Sequence, residues 1–204
     1  MDIINFPKLN RKAPTSGTFA LIANTQVFES PFNRTTQTAE LPGARWKASF
    51  RFDNLEESDV RLIQAFLAQL RGAAGRFYLW NMTHKKPAGT ALGDPRVAGG
   101  GQSGRVVTSK GWAPSQEKLL LPGDFISING ELKIITAQIA SDAAGNATMK
   151  FEPPLRNIYS QDNALIVTDK PNCIMRLPDD EQDSLNLEES RIANFKLDCV
   201  EVFS

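Results

Sequence analysis

Histidine and cysteine are nearly absent from these 204 residues, which hold one of the first and two of the second. Any histidine-dependent acid–base or triad chemistry would have to run through His84, and His84 sits beside Lys85 and Lys86 in a breaker-rich stretch with no G-x-S-x-G nucleophile elbow to serve. A surface loop histidine is therefore the expectation. Cys173 and Cys199, 26 positions apart and flanked by apolar strand-like residues, are too few for a disulfide framework or a structural metal site, so they read as buried free thiols. No run of about 18 apolar residues exists to span a bilayer, and the opening MDIINFPKLNRK lacks the apolar core of a signal peptide. A chain made in the cytoplasm and not bound to membrane is expected. Net charge is lacking too: Lys plus Arg equals Asp plus Glu at 23 each, which gives no bulk attraction to nucleic acid or an anionic surface.

The charges that are present segregate. Val60 to Gly93 carries Arg61, Arg71, Arg76, Lys85 and Lys86 with no acid, whereas Asp179 to Glu189 carries Asp179, Asp180, Glu181, Asp183, Glu188 and Glu189 with no base. Each run is either a solvated face or half of a complementary contact.

With 41% hydrophobic residues the chain can bury one good core or two small ones. Its clearest element is LEESDVRLIQAFLAQLRG, where Val60, Ile63, Phe66, Leu67 and Leu70 recur at helical spacing. Asn54 and Glu57 suit a capping box at its start, and Gly72 suits a left-handed stop at its end. Around this helix the pattern is β. Short strands are expected at Thr18 to Ile22, Gln26 to Phe28, Arg45 to Phe52 and Arg76 to Trp80. Breakers from Thr83 to Gly101 then mark a boundary or an extended connection. Beyond them, strands at Arg105 to Ser109, Lys118 to Leu121, Asp124 to Ile128, Glu131 to Ile139, Ala147 to Phe151 and Leu165 to Thr168, without a helix, suggest a small closed barrel. Asn129-Gly130 is the strongest hairpin signal, since both central residues of such a turn need positive φ. Asn172 to Leu177 and Asn194 to Phe203 close the chain as a strand pair joined by the acidic turn.

Mainly β with one amphipathic helix is thus the expected class. Residues 1–93 and 169–204 would form one discontinuous domain, with 94–168 inserted as the barrel.

Motifs of chemistry are mostly missing. Gly99-Gly100-Gly101-Gln102-Ser103-Gly104 matches G-x-G-x-x-G, yet no strand precedes it and Arg105-Val106-Val107-Thr108 after it favours a strand over the helix that would hold a pyrophosphate. As a P-loop it fails, with Arg105 and Val106 where Lys and Ser/Thr belong. The turn Asp179-Asp180-Glu181-Gln182-Asp183 lacks the glycine and terminal glutamate of an EF-hand. No catalytic, cofactor or metal residue is assigned, although a carboxylate pair assembled by the fold would leave no sequence signature. Among the tryptophans, Trp46 and Trp80 suit core packing, while Trp112 in Lys110-Gly111-Trp112-Ala113-Pro114 is the expected exposed barrel aromatic.

The order of elements, with PGARWKASFRF, LIQAFLAQLRGAAGRFYLW and LLLPGDFISINGELKIIT, resembles the distal tail proteins, or minor tail and baseplate hub proteins, of long-tailed, non-contractile-tail bacteriophages over nearly the whole chain. The resemblance implies a tail-tube-like β-sandwich as the first domain and an oligonucleotide/oligosaccharide-binding-type inserted barrel. It also implies a homohexameric ring in the virion tail, joining the tail tube protein to the tip, hub and fibre proteins. DNA would pass through the lumen without sequence-specific binding, and neither enzyme activity nor a cofactor is implied. Asp179, Asp180, Asp183, Arg71 and Arg76 are then the candidate subunit contacts. The alternative expectation is a carbohydrate-binding module using Trp112; a tail-associated hydrolase is a weaker third.

Overall fold

The computed structural model describes residues 2–10, 13–159, 164–180, 185–187 and 193–203. The protein is mainly β with one α-helix and a small barrel-like sheet, as expected. Its contacts divide it into two compact units, one of Met1–Asp2, Pro7–Arg76 and Met175–Ser204, the other of Ile3–Phe6 and Phe77–Ile174.

The larger sheet is built on alternation. In β5 (Arg45–Leu55) Trp46, Ala48, Phe50 and Phe52 are buried, and in β15 (Ala193–Glu201) Phe195, Leu197 and Cys199 are buried. The antiparallel register sets Phe52 against Phe195, Phe50 against Leu197 and Ala48 against Cys199, so one apolar face forms across both strands. The rings of Phe52 and Phe195 stack with centroids 6.1 Å apart. β2 (Ser16–Ile22) pairs with the other side of β5 and is an edge strand. In chain order β1 (Ile4–Asn5), β6 (Phe77–Trp80), β13 (Asn172–Arg176) and β14 (Leu185–Leu187) complete a seven-stranded sheet, ordered β1-β6-β13-β15-β5-β2 with β14 beside β15.

Helix α1 (Glu57–Leu70) buries Val60, Ile63, Phe66 and Leu70, the expected stripe, with Leu67 half-buried at its margin. Its start differs from expectation. The N-cap is Glu56, with no side-chain capping bond, because β5 continues to Leu55; Asn54 lies in that strand in a left-handed conformation. Glu57 and Asp59 in the first turn supply the negative charge that the helix dipole favours there. At the far end Arg71 is already left-handed, with φ 52°, one residue before the glycine chosen from sequence.

The second unit contains the barrel. β7 (Gly93–Val97), β8 (Gln102–Trp112), β9 (Phe125–Ile128), β10 (Glu131–Ile135), β11 (Ala147–Tyr159) and β12 (Ile166–Val167) run in the order β12-β9-β10-β11-β8-β7. An antiparallel bridge between Arg96 and Leu165 brings the two ends of that order together. The barrel has six strands where an oligonucleotide/oligosaccharide-binding barrel has five. Val97, Val107, Trp112, Ile126, Ile135 and Phe151 are among the residues of its apolar core.

Asn129 and Gly130 take φ 49° and 82° between β9 and β10, the two-residue turn that the Asn-Gly pair signals. Lys118 to Leu121 forms no strand, only a bridge from Leu120 to Ile139. The connection before the barrel is hydrogen-bonded to it: Asp124 accepts from the amides of Ala88, Gly89 and Leu121, and Thr90 and Ala91 donate to the carbonyls of Lys118 and Leu119.

Candidate contact surfaces

Among the described residues, the basic and acidic runs meet just after the helix. After α1 a 3-10 turn spans Gly72–Ala74, leaving amides at one end and carbonyls at the other. Asp180 Oδ1 accepts from the Ala73 amide at 2.9 Å. Arg76 donates through one nitrogen to the carbonyls of Ala73, Ala74 and Gly75 at 2.9 to 3.1 Å. Gly72, at φ 68°, leaves room for the carboxylate, since a β-carbon there would stand 2.4 Å from Asp180 Oδ1. Asp180 and Arg76 therefore close a local turn. Arg71 and Asp179 are exposed beside it, and Asp183 lies outside the described residues.

Trp112 corrects the sequence reading. It is 3% exposed, lies in the barrel core, and donates from Nε1 to Ser109 Oγ at 2.8 Å, which in turn donates to the Ala147 carbonyl. The side chains of Val107 and Ser109 point inward on the alternation of β8; left-handed Gly111, at φ 87°, breaks that alternation and turns Trp112 inward as well. The glycine-rich stretch joins β7 to β8 as a hairpin turn, with Gly99 and Gly101 in the turn and Gly104 within β8 all at positive φ; a strand follows as expected, and a strand, β7, also precedes it where none was expected. Gln102 closes the turn, its side chain donating to the Ala98 and Thr108 carbonyls and accepting from the Thr108 amide.

His84 is an exposed loop residue, its Nδ1 within 2.8 Å of Thr83 Oγ1 and its ring 5.7 Å from that of Phe125. Both cysteines are buried and neither is in a disulfide, and burial pushes the Cys199 thiol up, which keeps it protonated and inert. Among the described residues no three His, Cys, Asp or Glu side chains group as metal ligands, and no helix is long and apolar enough to cross a membrane.

Sequence reasoning found only half of the most exposed apolar feature, the strand at Gln26 to Phe28, and missed its partner. β3 (Thr25–Glu29) and β4 (Thr36–Glu40) form a separate two-stranded ribbon in which every residue is exposed. Val27 is 62% exposed, Phe28 59%, and Phe32 at the turn 97%. Strand β4 was hidden by its polar composition, TQTAE, and by the Ser30-Pro31 break before it.

The outward face of the main sheet is charged. Arg45, Lys47 and Arg51 alternate along β5, and Lys196 of β15 lies directly opposite Arg51. Arg51 pairs with Asp53 at 2.7 Å and Lys196 with Asp198 at 2.8 Å. Partial burial pushes the Asp198 carboxyl up, but hydrogen bonds from Lys196 and Ser49 and the nearby Lys47 outweigh it and hold the group below its ordinary range.

No family model and no curated protein matches this sequence.

Proposed function

We propose that this chain is a structural subunit of a phage tail that assembles with copies of itself into a ring, hexameric as the resemblance implies, linking the tail tube to the distal tip complex. One observation carries the self-assembly: the β3–β4 ribbon with Val27, Phe28 and Phe32 in solvent. An isolated two-stranded ribbon is marginal in water, and apolar side chains concentrated on it are typical of a surface that another chain covers. A mainly β fold with a barrel-like sheet accords with the same reading.

The carbohydrate-module alternative relied on an exposed barrel aromatic, and Trp112 is in the core. The ring reading is therefore the one retained.

Size-exclusion chromatography with light scattering, followed by negative-stain electron microscopy, tests it. The expected result is concentration-dependent association into closed particles with a central opening. A monodisperse monomer at the highest attainable concentration would overturn ring formation by the free protein.

A further inference from the structure

We infer that the β3–β4 ribbon of one copy docks, through its acidic face, on the basic outward face of strands β5 and β15 of the next copy. This rests on the ring reading and names the two surfaces that would meet. A head-to-tail ring needs two different patches on one chain, each complementary to the other. Both are present.

In the ribbon, Thr25 pairs with Glu40, Val27 with Thr38 and Glu29 with Thr36, so these six side chains share one face. That face carries Glu29 and Glu40 and no base. The sheet's outward face carries Arg45, Lys47, Arg51 and Lys196 against Asp53 and Asp198, an excess of two positive charges (four minus two).

The spacings agree as well. Glu40 lies across from Thr25, four residues along the ribbon from Glu29, which is about 14 Å of extended chain. Lys47 and Arg51 are likewise four residues apart along β5, again about 14 Å. Two carboxylates on one extended element can therefore meet two cations on another without distorting either. Val27, on that same face, and Phe32, at the tip, add the apolar burial that charge alone does not supply. The occupant is a second copy rather than an unrelated anionic polymer, because the complementary acidic surface is on this same chain and is otherwise exposed.

Charge reversal tests the pairing, read by sedimentation of the full chain across concentration at low salt. The variant Glu29→Lys with Glu40→Lys, and separately Lys47→Glu with Arg51→Glu, should each weaken self-association about tenfold or more. Mixing the two variants should restore assembly, since each brings the charge the other lacks. Lys196 opposite position 51 offers the new carboxylate a partner, which protects the fold of the second variant. If a reversed variant fails to fold, Glu29→Gln with Glu40→Gln gives the same test with a smaller shift. Wild-type association that neither reversal weakens would overturn the docking and leave the ring standing. Weakening by the sheet variant alone, with the ribbon variant unchanged, would also overturn it, and a wild type that stays monomeric would overturn both.

Discussion

Lys133 is fully buried inside the barrel, where its ammonium donates to Glu131 at 2.7 Å and to the Pro154 carbonyl at 2.9 Å, and stands 5.9 Å from the centre of the Phe151 ring. Glu131 in turn accepts from the Arg156 amide and the Asn157 side chain, so both members of the pair have further hydrogen-bond partners. Taking two charges out of water is costly, and such a pair holds only while its geometry is kept. Lys133→Ala should therefore cost about 3–5 kcal/mol, because it leaves a carboxylate buried without its cation. Lys133→Met combined with Glu131→Gln should cost much less, since the chain length and the acceptor for the Arg156 amide remain. Chemical denaturation of the three proteins decides it, and equal losses in the single and double variants would mean that lost packing, not an orphaned charge, sets the cost. Nothing in the sequence exposed this pair. Glu131 and Lys133 read as the polar half of an alternating strand, and only barrel closure makes that half the inside.

At the scale of elements, what was legible followed from periodicity. The helical stripe and the β5 and β15 alternations are local patterns that tertiary packing did not override, and the Asn129-Gly130 turn needs only two residues to specify it. Elements whose evidence is not local were missed. β7 contains Asp94-Pro95, which reads as a turn, but proline is tolerated at the start of a strand or where its missing amide is not required. Of the ribbon, β3 was legible and β4, which is polar in sequence, was not, and the contact of Asp180 with Ala73 was hidden because it spans 107 positions. The helix itself gives a direct test of packing against surface charge. Ile63 is fully buried and Arg61 exposed in an i,i+4 pair with Glu57. Ile63→Ala should cost about 2–5 kcal/mol, whereas Arg61→Ala should stay within about 0.5 kcal/mol. Comparable midpoint shifts in thermal unfolding would mean that the buried face contributes no more than a solvent-exposed ion pair.

For the whole molecule, sheet topology and compactness divide the chain at different places. Every strand of the seven-stranded sheet lies outside residues 94–168, and the six strands of the barrel lie within 93–167. The compact units instead count Phe77–Ile174 together, a span that includes the connection hydrogen-bonded to the barrel through Asp124, Lys118 and Leu119. Replacing 94–168 by a short Gly/Ser linker tests which division governs folding. The sheet keeps all its strands in that variant, and the chain before the barrel meets the chain after it where the Lys170 amide donates to the Lys85 carbonyl at 3.0 Å. Closing them with a flexible linker costs little entropy. The variant should therefore unfold cooperatively, retain the α1 signal in circular dichroism, and melt below the full chain, because residues 88–92 lose their hydrogen-bond partners. Retained self-association in the same variant would place assembly in the part that keeps β5, β15 and the β3–β4 ribbon. A broad, non-cooperative transition would instead mean that the barrel is part of the folding unit, and that the sheet needs it to form.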